Sequence, residues 1–405
     1  MSPNGSQFAN GPLSGIRVLD LSAVISGPFG TAMLADQGAD VIMVEQARQP
    51  DILRDSGPLA PDAQGISALF ANVNRNKRSI ALDLKHPDGH ALLTKLIRRS
   101  DVLVQNFRPG IIDRLGFGWA AVSALNPQLI MCSVSGFGAD GPYSHRPAFD
   151  PVVQSVAAYP TVQLDASGAP KLMATAVCDK ATSVHVAQAI CAALVARANG
   201  AGGQHIEVAM VDVAVHFLWP EAMWNHTYMD HETDMPDLSA IYSLFQTKDG
   251  WAMVYPVGTE GHWKGMCNAF GRADLAEDPR FADRQGRVLY GHEVNDELQA
   301  EVVKYTTAEV VEMMDAAGVP VAPVNTREGL IDDPHIRHRE LVVESVHPAV
   351  GRIRQARPPG RFSATPAGLR LPAPTFAEHT DEVLREVLGL DDAELGRLRS
   401  AEAIR

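Results

Sequence analysis

The chain has 405 residues, 46% of them hydrophobic, and a formal net charge of -13. A chain of this length can bury more than one core, so we expect two domains. The acidic balance argues against nonspecific nucleic-acid binding, because such binding depends on the neutralisation of phosphates by basic side chains.

The N-terminal segment and the cysteine pattern favour a cytoplasmic location. Residues 1–12 are polar and lack the basic region and apolar core of a signal peptide. The apolar stretch 184–195 is interrupted by His185 and Gln188, which argues against a membrane span. The four cysteines lie far apart and form no CxxC pair, so we expect neither disulfides nor a zinc site.

The first 135 residues alternate short apolar runs with amphipathic stretches, as βαβ units do. Several runs are apolar without alternation, which is typical of strands buried on both faces of a parallel sheet. Ligands on such sheets bind beyond the carboxyl ends of the strands. The predicted strands are 17–22, 40–45, 79–85, 101–107 and 129–135, the predicted helices are 27–37, 87–99 and 119–126, and the ligand-binding strand ends are 22–27, 85, 106–110 and 135–138.

A local basic segment could hold an anionic ligand. Residues 75–114 contain nine basic and four acidic side chains, a balance of +5 within a chain at -13. For Lys95, Arg98 and Arg99, which have helical spacing, a solvated helix face is an equally good interpretation.

The sequence from Gly136 to Gly141 matches the dinucleotide-binding pattern G-x-G-x-x-G after a predicted strand. That pattern must open a helix whose N-terminus carries the pyrophosphate. Here Pro142 and Pro147 bracket a loop and no helical periodicity begins, so we do not expect an NAD site.

Asp179 stands at the start of the longest helical pattern, which ends at Gly200. By itself this position indicates a helix N-cap. A carboxylate there is also held ionised by the helix dipole and could act as a nucleophile. Cys178 is a rival nucleophile, but only Lys180 is close enough in sequence to lower its pKa, so a small buried residue is the better interpretation.

The second half of the chain no longer shows the regular βαβ alternation. A strand is predicted at 204–209, followed by an antiparallel pair at 241–247 and 251–256 within a smaller α+β domain. The Pro-rich stretch 340–374 is interpreted as a linker or a return strap, and Val383, Leu384 and Leu388 indicate a final amphipathic helix. The spacing of His226, Asp230, His231 and Asp234 matches no metal-ligand pattern, so no metal site is expected.

Several motifs together resemble those of the class III CoA-transferases, the family of formyl-CoA, carnitine and bile-acid CoA-transferases and α-methylacyl-CoA racemase. The motifs are Gly15-Ile-Arg-Val-Leu-Asp-Leu with Ser26-Gly27-Pro28, Gly38-Ala-Asp-Val-Ile-Met-Val-Glu45, Asn76-Lys-Arg-Ser79, Asn106-Phe-Arg-Pro-Gly110, Gly136-Phe-Gly with Gly141-Pro-Tyr143, and Gln204-His-Ile-Glu-Val208.

The resemblance implies an α/β protein that transfers CoA between carboxylic acids, without a metal or redox cofactor and with Asp179 as the acylated carboxylate. It implies a Rossmann-like large domain with a parallel sheet at 1–220, completed by 331–405, a small α+β domain at 221–330, and an interlocked homodimer. The positions that match CoA contacts of the family are Val24, Ile25, Ser26, Leu82, Asp83, Leu84, Lys85, Asn106, Phe107, Arg108 and Arg114.

The chain also departs from particular members. Formyl-CoA transferases carry Gln and Arg where this chain has Ile25 and Gln46, so Arg48 or Arg54 is expected to substitute. The glycine-run loop expected ahead of Tyr242 is missing, which argues against oxalate and formate as substrates.

Two other activities remain as alternatives. Racemases of the family carry His where this chain has Phe149, which favours transfer over 2-methylacyl-CoA racemisation or epimerisation. A non-catalytic CoA-binding protein is the third possibility. The side chains of Trp219, Met223, Trp224 and Tyr228 hint at an apolar, branched or aromatic acid as substrate, without identifying it.

Overall fold

The computed structural model describes residues 10–61, 65–165 and 167–405. These residues form two compact units. The large unit comprises the described residues up to Ala157, Met173–Phe217 and Arg339–Arg405, and the small unit comprises Ala158–Leu172 and Leu218–His338. Their boundaries therefore fall at 217 and 338, where the sequence predicted 220 and 330, and residues 158–172 join the small unit.

A six-stranded parallel sheet forms the centre of the large unit, in the order β3-β2-β1-β4-β5-β6. The predicted parallel sheet is confirmed. The strand order reverses between β1 and β4, so the loops after these two strands diverge and leave a crevice. The strands are β1 (Arg17–Asp20), β2 (Asp40–Gln46), β3 (Lys77–Leu82), β4 (Val102–Gln105), β5 (Ile130–Ser135) and β6 (Gln204–Ala209).

Helices connect these strands and build the small unit. In chain order they are α1 (Ser26–Asp36), α2 (Ala68–Val73), α3 (Pro87–Ile97), α4 (Ile111–Arg114), α5 (Trp119–Leu125), α6 (Asp150–Val156), α7 (Tyr159–Val162), α8 (Val177–Ala196), α9 (Met210–Ala222), α10 (Glu260–Phe270), α11 (Ala273–Glu277), α12 (Arg284–Leu289), α13 (Gly291–Val302), α14 (Thr307–Ala316), α15 (Gly329–Asp332), α16 (Pro334–His338), α17 (Thr380–Leu388) and α18 (Asp392–Ser400).

The two faces of the large sheet are covered by different helices. Successive side chains of a strand point to opposite faces, and Val18 and Leu19 of β1 accordingly belong to different cores. Leu19 packs in a core with residues of α3, α17 and α18, whereas Val18 packs in a core with residues of α1 and α8. Helix α8 is long and apolar enough to cross a membrane by length and composition alone, a property it shares with core helices of soluble proteins.

The first part of the basic segment is structural. Lys77 Nζ lies 2.8 Å from Asp20 Oδ2, and neither side chain is exposed to solvent. Arg75 pairs with Asp36 at 2.7 Å and Arg78 with Asp40 at 2.8 Å. The expectation that the segment as a whole forms a basic patch is therefore wrong for these three bases, because buried carboxylates neutralise them.

The small unit contains the predicted antiparallel pair. The strands β7 (Leu244–Gln246) and β8 (Trp251–Val254) are antiparallel, and β9 (Val321–Pro323) adds a third strand. Its core is built around Trp263 and Phe281, whose rings meet at a centroid distance of 5.5 Å.

The Pro-rich stretch returns the chain to the large unit and is partly regular. It contains the antiparallel hairpin β10 (Val342–His347) and β11 (Gly351–Ala356). The chain then reaches α17 and α18, and its end lies against the sheet, where Ile404 pairs with Leu82 and Asp83 N donates to Ala403 O.

Candidate active site

The loop after β1 is held in place by side chains from the segments that follow the neighbouring strands β4 and β2. Ala23 N donates to Asn106 Oδ1 at 2.9 Å, and Asn106 Nδ2 donates to Ala23 O at 2.7 Å. Val24 N donates to Asp51 Oδ2 at 3.1 Å. Val24 has a φ of +71°, which is a strained conformation for a β-branched residue. Such strain persists only where surrounding contacts over-determine it, and it is concentrated at functional sites.

Helices α1 and α8 approach closely at Gly30. A Cβ atom at this position would lie 2.9 Å from Ser183 O and 2.9 Å from Val186 Cγ1. The missing side chain therefore lets the N-terminus of α1 reach the first turn of α8. Ser183 Oγ of α8 donates to Ile25 O at 3.4 Å, and Ser26, the next residue, lowers the pKa of the Asp179 carboxyl group.

Asp179 is the third residue of α8, not its N-cap, which is Ala176. Only 7% of its surface is exposed. Its backbone N–H donates to Asp150 Oδ2 at 2.9 Å, and Asp150 is itself held by Gln154 Nε2. The N-cap interpretation is therefore wrong, because the carboxylate of Asp150 takes over this role for the Asp179 N–H.

Burial, and after it the negative charge of Asp150, raises the pKa of Asp179 to about 6, while the hydrogen bond from Ser26 opposes the shift. The carboxylate is thus ionised at neutral pH but poorly solvated. A carboxylate of this kind is suited to nucleophilic attack on a carbonyl carbon.

Cys178 is fully buried, and burial raises the pKa of its thiol to about 12. Because the thiolate is the reactive form of cysteine, this residue is unsuited to act as a nucleophile at neutral pH. All four cysteines are free.

Two cavities lie at the carboxyl edge of the large sheet. The first, of about 360 Å³, is lined by Asp179 and by residues that follow β1, β4 and β5. The second, of about 670 Å³, lies at the ends of β2 and β3 and beside β1 and β4. The cavities share Ala23, Val24 and Phe107. A long ligand that passes these shared residues could occupy both.

Seven of the eleven predicted CoA contacts line these cavities. Ser26, Asn106 and Arg108 line the first, Leu84 and Lys85 line the second, and Val24 and Phe107 line both. The other four are Ile25, Leu82, Asp83 and Arg114.

These four residues do not line either cavity. Ile25 packs against a hydrophobic cluster around Phe70. Leu82 is buried in the core, and Asp83 Oδ1 accepts a bond from Lys85 N at 3.0 Å. Arg114 is exposed at the end of α4.

Of the two arginines expected to substitute at the second strand, Arg48 lies at the cavity and Arg54 does not. Arg48 is exposed, lines the second cavity and pairs with Glu402 at the surface. Arg54 is buried, pairs with Glu45 at 2.6 Å and stacks on Phe70 at 4.0 Å. Its guanidinium is therefore committed to the fold, and the expectation that Arg54 contacts a ligand is wrong.

The loop after β5 supplies residues that sequence reasoning missed, among them Phe137, Ser144 and Arg146 in the wall of the first cavity. Nothing in the local sequence separates Arg146 from other exposed loop arginines. The backbone N–H of Gly138 donates to Ser135 Oγ at 3.0 Å, so this N–H already has a partner within the loop. A Cβ at Gly136 would lie 2.2 Å from Ala148 Cβ, which explains the glycine by packing.

The parallel sheet, the buried carboxylate and the two adjacent cavities suit an enzyme that acts on a long ligand, and the sequence comparison identifies its class. The chain belongs to CoA-transferase family III, whose model matches residues 13–380. It is therefore a CoA-transferase of the EC 2.8.3 type.

Curated relatives and solved structures cover nearly the whole chain. A succinate–glutarate CoA-transferase from Agrobacterium fabrum is 34% identical over 93% of this chain and 96% of its own length. The beta subunit of a succinyl-CoA–L-malate CoA-transferase from Chloroflexus aurantiacus is 33% identical, with coverage of 97% and 98%. A CAIB/BAIF family protein from Brucella suis has a TM-score of 0.80 at 30% identity, covering 93% of this chain and 100% of its own.

Proposed function

We propose that this enzyme moves CoA from an acyl-CoA donor to a carboxylic acid acceptor through a covalent intermediate on Asp179, without a metal or redox cofactor. The main support for this proposal is the buried Asp179 carboxylate in the wall of the first cavity, whose pKa is raised to about 6 and which accepts a hydrogen bond from Ser26. The relatives named for succinate, glutarate and malate support short dicarboxylic acids as the substrate class.

The reaction proceeds by exchange between anhydride and thioester. The Asp179 carboxylate attacks the thioester carbonyl, the C–S bond breaks, and CoA leaves as a thiolate from an acyl-aspartyl anhydride. The thiolate attacks the Asp179 carbonyl, releases the first acid and leaves an aspartyl-CoA thioester. The acceptor carboxylate attacks this thioester, and the thiolate then attacks the acceptor's carbonyl in the new anhydride, which frees Asp179.

The two cavities divide the CoA molecule between them. The thiol end lies in the first cavity beside Asp179, and the nucleotide end lies in the second, where Lys85 supplies positive charge. The pantetheine chain passes Val24 and Phe107, which line both cavities. Asn106 holds the Val24 loop through Ala23, so its substitution would disturb both halves of the site.

The test is intact-protein mass spectrometry after incubation with a panel of acyl-CoAs, with and without hydroxylamine. Hydroxylamine should convert the covalent intermediate to a hydroxamate that peptide mapping places at Asp179. The Asp179→Ala variant should acquire no adduct. Cys178→Ala is the matched control, since it removes the neighbouring rival nucleophile and should keep the adduct.

Two outcomes would overturn the proposal. An adduct that persists in Asp179→Ala would move the nucleophile elsewhere. The absence of any adduct, together with deuterium uptake at the α-carbon of a 2-methylacyl-CoA, would favour the racemase alternative despite Phe149 in the cavity wall.

A further inference from the structure

Two arginines line the first cavity, and within the described part of the chain neither pairs with a carboxylate. Arg108 follows β4, and Arg146 lies in the loop after β5. The Arg146 guanidinium stacks on Tyr143, with 3.8 Å between its Cζ atom and the ring centroid. Tyr143 contacts Phe137 edge to face at 5.7 Å, and Phe137 also lines the cavity. The stack fixes the guanidinium plane and leaves its N–H edges to a ligand.

The charge of the cavity wall makes these arginines informative. Asp179 lines the cavity, and Asp150 bonds to its backbone N–H. The charge of Asp150 raises the pKa of Asp179, which shows that this part of the wall is negative. A monocarboxylic acyl thioester brings no charge to this site. A dicarboxylic acyl thioester brings a further carboxylate, which needs a cation to offset the repulsion.

Position along the sheet separates the roles of the two arginines. The second cavity lies at β2 and β3, the loops after β1 and β4 reach both cavities, and the loop after β5 reaches only the first. Neighbouring strands are about 4.8 Å apart, so the end of β5 is about 14 Å from that of β2. A CoA molecule that enters from the second cavity therefore passes Arg108 before its acyl group reaches Arg146.

We propose that Arg146 is a specificity-determining residue that binds the distal carboxylate of a short dicarboxylic acyl group, while Arg108 contacts the CoA portion. A guanidinium matches a carboxylate through two parallel N–H···O bonds, which gives charge and geometry together. This inference rests on the proposed function, because it places the thioester carbonyl at Asp179.

The experiment compares two donors of equal chain length, succinyl-CoA and butyryl-CoA, with one fixed acceptor. For Arg146→Gln, kcat/KM for succinyl-CoA should fall by roughly 100-fold, as expected for a lost charge-assisted pair, while that for butyryl-CoA should change by less than about threefold. Arg146→Lys should restore part of the preference for succinyl-CoA over butyryl-CoA. Lysine keeps the positive charge but cannot form two parallel hydrogen bonds to one carboxylate.

Two variants provide controls. Arg108→Gln should lower kcat/KM for both donors by the same factor, since both carry the same CoA portion. Arg99→Gln should change neither, because Arg99 is exposed after α3, at the opposite edge of the sheet.

Equal loss with both donors in Arg146→Gln, or an unchanged ratio, would overturn the role of Arg146. A wild-type enzyme that uses butyryl-CoA but neither succinyl-CoA nor glutaryl-CoA would overturn the dicarboxylic class. If the Asp179 adduct forms while the donor ratio does not respond, only this inference fails. If no acyl-CoA yields an adduct, the proposed function fails.

Discussion

Asp179 combines two properties that oppose each other in a folded protein. Its burial makes the carboxylate more reactive, but the same burial disfavours the ionised form that has to react. Ser26 relieves part of this conflict by a hydrogen bond to the carboxylate, whereas Asp150 adds to it through its charge. The residue should therefore lower the stability of the folded protein in the pH range where it is active.

Asp179→Asn should be more stable than the wild type above pH 6. A folded-state pKa of about 6 means that the native state binds more protons than the unfolded state between about pH 4 and pH 6, so wild-type stability falls as pH rises through this window. The neutral amide avoids this loss, on the order of 2 to 3 kcal/mol at pH 8. Denaturant unfolding at pH 8 and pH 4 measures the difference in unfolding free energy between the variant and the wild type. The same difference at both pH values would contradict the prediction.

Ser26→Ala should shift the acid limb of activity to higher pH. The Ser26 hydroxyl lowers the pKa of Asp179, so its removal raises that pKa further above about 6 and less of the carboxylate is ionised at neutral pH. The pH dependence of kcat/KM reports this midpoint. Ser144→Ala is the control, because Ser144 lines the same cavity but bonds to Gly141 O. An unchanged midpoint on the acid side of the kcat/KM profile of Ser26→Ala would contradict a hydrogen bond from Ser26 to Asp179.

At the scale of elements, the contact between α1 and α8 sets the geometry of the site. Gly30→Ala would place a methyl group 2.9 Å from backbone and side chain of α8, and the helices must separate. We expect a loss of about 1 to 3 kcal/mol in stability, together with slower CoA transfer, because Ser26 moves away from Asp179.

Gly396→Ala provides the matched control. Gly396 lies in α18 with no atom within 4 Å of the added methyl group, so alanine should stabilise the helix by about 0.5 to 1 kcal/mol. Thermal unfolding of both variants measures the difference. Equal effects at the two positions would show that close packing at Gly30 is unimportant.

The elements that sequence could predict are those with a strong local pattern. The strands β1 to β5 are almost wholly buried, so apolar runs without alternation located them, and the Asp179 helix followed from its length. The hairpin β10–β11 was missed because exposed charged residues such as Arg352 and Arg354 interrupt it and proline surrounds it.

The site was only partly predictable, because its partners come from distant segments. Asp150 and Asp179 are 29 residues apart, and only folding shows that one bonds to the backbone of the other. Arg54 and Arg48 cannot be told apart from the sequence. In the structure Arg54 is buried in an ion pair with Glu45, whereas Arg48 lies in the wall of the second cavity. The resemblance to the family agreed with the helix pattern on Asp179 and supplied seven of the cavity residues, whereas Arg146 required the structure.

At the scale of the whole molecule, the large unit depends on its last segment. Val383, Leu384, Leu395 and Leu398 belong to the same core as Leu19 of the first strand. A chain truncated after His338 should therefore lose the large unit, while the small unit keeps its own core. Hydrogen exchange should be fast throughout the sheet but remain slow around Trp263. Continued protection of β1 and β4 would contradict this prediction.

The interlocked homodimer implied by the family stays a prediction. Light scattering of the purified protein should give twice the mass of one chain at micromolar concentration, without dissociation on moderate dilution. A single-chain mass under these conditions would contradict it.

The pairing of Ile404 with Leu82 also bears on how the protein is made. The edge strand β3 is among the first elements to leave the ribosome, but the residues that cover its end are among the last. During synthesis more than three hundred residues separate these two partners, and the apolar face under α17 and α18 stays uncovered until they emerge. The nascent chain should therefore depend on chaperones late in translation, and slow codons before residue 380 should prolong that exposure.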